Sequence, residues 1–449
     1  MADSAESSET WWERGAFAPV HTEEHLDDLV VEGALPPSLN GVYMRNGANA
    51  PNGKSAHWFL GDGMLHGVRL EGGRARWYRN RYVKTVAHLD PKDPLDFVSM
   101  MDKTRSSANT SVVRHAGRIF ALEEGHFPYE VSADLETKGF VDFDGKLTTG
   151  FTAHPKLCPE SGEMLAIGYQ AMPPFMTYHR FDAAGRLLQS VDIPVQGPMM
   201  AHDFAASRRH AIFMDLPVLF SLEDAMAGRM PYAWNETYQA RFGVMPRDGS
   251  VNELRWFNIA PCYIFHVLNA YDEGDEVVLD AARYARMWSK AGAFEDGPAQ
   301  LWRYRLNLKT GAVRETQLDD ARIEFPRLDE RLVGLKNRFG YAVETAVSSN
   351  DTIAMDGLVS ARLFKYDLET GSRQDAHFGE RVMLGEPVFA SAGAGEDEGY
   401  VMTYALAADR QSTDLVVLDA QNFSRGPIAR VKIPRRIPIG FHGSFFPDE

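Results

Sequence analysis

Four histidines stand in settings where an unpartnered imidazole would be costly. They are His154 in Thr152-Ala153-His154-Pro155, His202 in Met200-Ala201-His202-Asp203-Phe204, His266 in Ile264-Phe265-His266-Val267 and His442 in Gly440-Phe441-His442-Gly443. Apolar and small flanks turn such a ring inward, where it must find a partner. Either each ring has its own hydrogen bond, or the four converge on one ion. Their neighbours lie about 50, 60 and 180 residues apart, whereas zinc fingers and HExxH metalloproteases place ligands close together in sequence. Four neutral imidazoles suit a borderline ion such as iron, copper or zinc. They would leave the ion its full 2+ charge, and an octahedral ion would keep two positions open.

A ligating imidazole needs its second ring nitrogen held, commonly by a carboxylate. Three glutamates lie in apolar or turn settings where a solvated acid is unexpected. Glu124 follows Ile119-Phe120-Ala121-Leu122-Glu123, Glu324 sits in Ile323-Glu324-Phe325-Pro326, and Glu386 sits in Leu384-Gly385-Glu386-Pro387. Each either serves a ring or faces water at an edge or turn. There is no Gly-x-Ser-x-Gly elbow for a serine nucleophile, and Gly61-Asp62-Gly63 reads as a turn rather than a phosphate cradle.

Bringing distant histidines together requires an architecture that returns the chain repeatedly to one axis. From Leu39 onward the sequence is β-like, with short apolar runs broken by Gly, Asn and Asp. A hairpin is predicted over Leu70-Glu71-Gly72-Gly73-Arg74-Ala75-Arg76-Trp77-Tyr78. Similar polar turns recur at 181–186, 308–312 and 368–372, with a weaker copy at 418–422. Strand, Gly-containing turn, strand is the unit of a propeller blade, and equally of other all-β folds. Helical text is scarce: Ser221 to Gly228 begins with a Ser cap and early acids. Composition shifts nowhere sharply, so one domain is expected over 17–449 behind a flexible acidic tail at 1–16.

The 449 residues are 44% hydrophobic and 24% charged, with a net charge of −15. That balance supplies a core and excludes a nucleic-acid-binding stripe. It also excludes electrostatic docking on anionic lipid, so any membrane contact would be apolar and local. The two cysteines, Cys158 and Cys262, form no disulfide framework and suit a reducing cytoplasm, although a single pairing stays open. The acidic, Ser-rich start has no signal-peptide pattern, and no apolar run reaches membrane-spanning length.

Several stretches together resemble the carotenoid cleavage oxygenase family, the non-haem iron enzymes that also include stilbene-cleaving dioxygenases and the retinoid isomerohydrolase. The markers are Asn40-Gly41-Val42-Tyr43-Met44-Arg45-Asn46-Gly47, His57-Trp58-Phe59-Leu60-Gly61-Asp62-Gly63-Met64-Leu65-His66-Gly67, Arg81-Tyr82-Val83-Lys84-Thr85 and the four histidine settings, in this order from about Leu39 to Phe446. The resemblance implies an all-β fold, a seven-bladed β-propeller with loops and short helices forming a dome over an axial metal site. It implies Fe(II) on the axis held by His154, His202, His266 and His442. It implies that Glu124 holds His202, Glu324 holds His266 and Glu386 holds His442. Thr110 matches a residue that crowds one open iron position.

The function so implied is oxidative cleavage of a conjugated C=C bond with O2, giving two carbonyl products. Stilbene cleavers of the family carry a lysine one residue before the first such glutamate, where this chain has Glu123, and the loop Asp96 to Ser107 lacks their tyrosine. Losing two polar handles should cost a phenolic substrate heavily. Residues 211–217 and 240–244 resemble the plant carotenoid-cleaving enzymes. A carotenoid or apocarotenoid is therefore the expected substrate, with a stilbene or phenylpropanoid as the alternative and a non-catalytic binding propeller as the remoter one. Such a substrate is drawn from a membrane, and the apolar stretches around Phe175 and Phe220 are the expected contact. No obligate protein partner is expected, and the expected location is cytoplasmic.

Overall fold

Turn chemistry sets the course of the chain. Gly72 and Gly73 take φ of +56° and +76°, the two left-handed positions that a tight hairpin turn demands. They join strands Met64–Glu71 and Arg74–Tyr82, which pair antiparallel. The other sequence-predicted turns join strands in the same way: Met176–Phe181 to Leu187–Asp192, Ala299–Asn307 to Val313–Gln317 and Arg362–Asp367 to Ser372–His377. In the computed structural model, which describes residues 10–92, 97–290, 296–347, 358–359, 361–379 and 381–448, these hairpins build seven antiparallel sheets arranged as the blades of a β-propeller.

Blade 1 runs outward from Gly443–Pro447 through Gly41–Arg45 to His25–Leu29. Blades 2, 3 and 4 begin at the axis with Ser111–His115, Lys156–Leu157 and Ala205–Ala206. Blades 5 and 6 begin with Tyr263–Glu273 and Ile323–Arg327, and blade 7 with the collinear pair Met383–Leu384 and Val388–Ser391. The ring is closed twice. The C-terminal Gly443–Pro447 pairs with Gly41–Arg45, and the N-proximal Val31–Gly33 pairs with Pro427–Ile433 on the edge of blade 7.

Burial follows from blade stacking. A middle strand such as Met164–Tyr169 is covered by a neighbouring blade on each face and is buried at every position. An outer strand such as Leu187–Asp192 alternates half-buried with exposed residues, as a sheet edge with one wet face should. Helices are short and lie in loops: Val86–Leu89 capped by the Thr85 hydroxyl, Phe97–Met101, and Leu222–Met226 capped by the Ser221 hydroxyl. Cys158 and Cys262 are both free and buried.

Of the expected acidic tail, residues 1–9 lie outside the described residues, as does Asp96 of the loop that ends at Ser107. Residues 10–16 pack rather than fray. Trp11 makes edge contacts with Phe17 and Trp58 at centroid distances of 5.0 and 5.6 Å, and Ala16 is buried. The acidic composition of the first residues hid this aromatic anchor.

Candidate metal centre

Each blade sends one residue to the axis at or beside its innermost strand. In blade order these are His442, Thr110, His154, His202, His266, Glu324 and Glu386. Residues dispersed over most of the chain meet because the seven innermost strands ring one axis. Local backbone irregularities aim them. The pairing register of Tyr263–Glu273 shifts between Ile264 and Val267, around His266, and that of Ile323–Arg327 shifts between Glu324 and Arg327. Such bulges re-aim a side chain that regular pleating would send sideways.

The four imidazoles converge. Nε2 of His154 lies 3.0 Å from Nε2 of His202, that atom 3.1 Å from Nε2 of His266, and that one 3.2 Å from Nε2 of His442. All four candidate ligand atoms lie within 4.8 Å of one another. Among His202, His266 and His442 these contacts are not hydrogen bonds. The Nδ1 atoms of His202, His266 and His442 each face a carboxylate, which fixes the ring proton there and leaves a bare lone pair on each Nε2. Lone pairs aimed at one point repel unless a cation sits between them. Metal–imidazole bonds of about 2.1 Å at right angles put neighbouring nitrogens about 3.0 Å apart, so the donor set fits one metal ion.

Three carboxylates face Nδ1 atoms of these rings. Glu124 meets Nδ1 of His202 and accepts from the Tyr169 hydroxyl. Glu324 meets Nδ1 of His266 at 2.5 Å and also accepts from the Phe325 N–H at 2.8 Å. Glu386 meets Nδ1 of His442 at 2.9 Å, while its other oxygen accepts from Gly443 N at 2.8 Å and Arg327 Nη1 at 2.7 Å. Burial alone would raise the Glu386 carboxyl, but Arg327 and His442 outweigh it and pull its pKa down to about 2. The His154 imidazole is pushed well below the usual histidine value by burial and by His442, His202 and His266 around it. Burial would also lower His202, yet the Glu124 carboxylate holds it above that value.

Thr110 lines the cavity above the rings. Its hydroxyl donates to Asn109 Oδ1 at 2.8 Å and its carbonyl accepts from His442 N at 3.1 Å, so its position is coupled to that of His442.

Sequence reading missed the residues that lock this centre. Arg327 bridges Glu386 and the Gly443 carbonyl. Asp203, buried beside His202, accepts from Lys156 Nζ at 2.6 Å and from Val267 N at 2.8 Å, tying the His154, His202 and His266 segments together. Phe325 adopts a left-handed φ of +51° and stacks on His266 at 5.1 Å. A non-glycine residue there carries strain of about 1–3 kcal/mol. Only the Asp after His202 gave a sequence cue.

A cavity of about 1000 Å³ opens over the histidines, at the upper end of the range for small-molecule sites. Its lining includes Phe59, Met200, Phe265, Tyr284 and Phe441. Phe220 lines it and is half-buried, whereas Phe175 is half-buried outside the lining. Met172 and Met101 are exposed apolar side chains in the lining, while Leu222 and Met226 are exposed on the short helix between Phe220 and Met230, which line the cavity, and Leu89 is exposed between the lining residues Ala87 and Pro91. No helix among the described residues is long and apolar enough to cross a membrane.

A seven-bladed propeller gathering four imidazoles at its axis, with carboxylates behind three of them, defines a metal-binding propeller of one particular kind. A family model described as "Retinal pigment epithelial membrane protein" matches residues 17–447. The carotenoid cleavage oxygenase of Mycobacterium tuberculosis is 38% identical, over 99% of each chain. The carotenoid 9,10(9',10')-cleavage dioxygenase 1 of Arabidopsis thaliana is 34% identical, covering 97% of this chain and 89% of that one. The crystal structure of Pseudomonas brassicacearum lignostilbene dioxygenase superposes with a TM-score of 0.88 at 29% identity, covering 98% and 99% of the two chains. The chain belongs to the carotenoid cleavage oxygenase family, whose members are iron-dependent oxygenases.

Proposed function

We propose that this protein is a non-haem Fe(II) dioxygenase that cleaves one conjugated C=C bond of a carotenoid or apocarotenoid with O2, releasing two carbonyl products. On this reading residues 17–449 act as one oxygenase domain. The observation that carries the proposal is the convergence of four Nε2 atoms beneath an aromatic-lined cavity of about 1000 Å³. His154, His202, His266 and His442 would hold the iron, which when bound supplies activation of dioxygen.

The chain's own groups do the rest. Glu124, Glu324 and Glu386 fix the proton on Nδ1 of their imidazoles and hold the ring planes. Phe265, edge-on to His202 at 5.1 Å, and Phe325, 5.2 Å from His442, keep water from the rings. Thr110 narrows one approach to the centre. The cavity walls align the polyene, so positioning supplies the choice of bond. No side chain is asked to act as acid or base, because the carboxylates nearest the centre are already committed to histidines.

Product analysis tests this reading. With ferrous iron and O2, a carotenoid panel is expected to give paired carbonyl fragments whose masses sum to substrate plus O2. The similarity to a lignostilbene dioxygenase favours a second reading, cleavage of a stilbene double bond by the same centre. Aldehydes from a hydroxystilbene alone would select it. No product from either class by metal-loaded protein would leave only a binding role.

Membrane contact at the cavity mouth is part of the proposal. The apolar side chains of Met172, Leu222 and Met226, 65%, 66% and 82% exposed, offer a local greasy surface on a chain of net charge −15. Leu222→Glu with Met226→Glu is expected to lower liposome association and turnover of liposome-borne substrate several-fold, while detergent-dispersed substrate is cleaved as before. Unchanged association would remove this surface from the account.

A further inference from the structure

One polar wall of the cavity lies where the loop after Phe97–Met101 faces the residues that follow Arg118–Leu122. Most charges on it are already spent. Arg105 donates to the Asp90 carbonyl at 2.5 Å, Lys92 pairs with the Asp90 carboxylate at 3.3 Å, and Asp62 pairs with His88 at 2.7 Å. Glu123 meets His126 Nδ1 at 2.5 Å and accepts from Gly125 N at 3.0 Å, and His126 Nε2 reaches the Ser99 carbonyl at 3.1 Å. Glu123 and His126 thus answer each other.

Lys103 is different. It lines the cavity, half-buried, and its Nζ donates to the Gly125 carbonyl at 3.0 Å. That is its one side-chain hydrogen bond among the described residues. An ammonium carries three N–H groups, so two donors have no protein acceptor there. The anchor matters: Gly125 follows Glu124, whose carboxylate holds His202. The spare donors therefore stand on the cavity surface, one residue along the chain from the group that positions a candidate metal ligand.

We propose that Lys103 is a specificity-determining residue that donates to a hydroxyl or carbonyl oxygen at the end of an otherwise apolar substrate. This rests on the cavity being the substrate site of the proposed reaction. A half-buried cation on an aromatic-lined cavity disfavours a pure hydrocarbon end, which would strip its hydration and return nothing. An oxygenated end replaces the lost water with a charge-assisted hydrogen bond. The selected substrate class is thus an oxygenated polyene over its hydrocarbon counterpart.

The test is a ratio of affinities. Metal-loaded protein kept free of oxygen is titrated with a carotene hydrocarbon and with its ring-hydroxylated form, following quenching of tryptophan fluorescence. The wild type is expected to prefer the hydroxylated form. Lys103→Met should shrink that preference by about tenfold or more, and Lys103→Arg should keep most of it. A preference within about twofold of wild type in Lys103→Met, or no preference in the wild type, overturns the proposal. Binding is read without turnover, so a failure to cleave carotenoids would count against the proposed reaction and not against this residue. Melting temperatures of both variants guard against misfolding.

Discussion

His266→Ala protein, reconstituted with ferrous iron, is expected to retain less than about a tenth of an iron per chain and no measurable turnover. The size of the effect follows from position. The Nε2 of His266 touches those of both His202 and His442, so its loss opens the middle of the cluster. It also leaves Glu324 buried with its negative charge facing no imidazole, although the Phe325 N–H still donates to it. A buried carboxylate in that state takes up a proton or draws in water, and either outcome disturbs the stacked Phe325. Unchanged near-ultraviolet circular dichroism would show that the propeller is intact. Near-stoichiometric iron with normal turnover would remove His266 from the ligand set.

The second large effect is expected at Glu386. This carboxylate answers His442, Gly443 N and Arg327 together, and it is only 3% exposed. Glu386→Ala strands a guanidinium whose side chain is 16% exposed, and breaking such a pair costs about 3 kcal/mol of stability. Glu330, the other carboxylate partner of Arg327, is more exposed and offsets little of this. Glu386→Gln keeps the volume and one acceptor, so it should fold but lose activity by roughly 10–100-fold. The double variant Glu386→Met with Arg327→Met separates the two roles. Replacing both charges by apolar groups should restore much of the stability, yet His442 would still lack its partner, and turnover should stay low. Full activity in that double variant would mean that Glu386 only supports the fold.

The sequence made the axis legible because propeller blades repeat a local signal. Glycine-containing turns at 72–73, 185, 311 and 371 each sit between strands that pair in the structure. Histidines with apolar neighbours marked the inward points. The partners of those histidines were harder to read. Arg327 lies in strand Ile323–Arg327 and acts on Glu386 in the next blade, 59 residues on, and no spacing rule links the two. Asp203 stands beside His202 in the sequence, but its distant partners Lys156 and Val267, through which it staples three ligand segments, do not show there. His126 stands in no motif of the four-histidine pattern, yet it faces the cavity on Glu123. Phe175 was expected at the rim, but its carbonyl is held by Gln170 N in a turn that presents Met172 outward instead. In each case the deciding contact comes from chain geometry that composition does not encode.

Crystals of iron-loaded protein measured on both sides of the iron absorption edge test the central claim most directly. The account predicts one anomalous peak on the propeller axis, about 2.1 Å from the Nε2 atoms of His154, His202, His266 and His442. An iron peak bound elsewhere, or loaded protein whose four imidazoles remain in mutual contact with no metal between them, would contradict it.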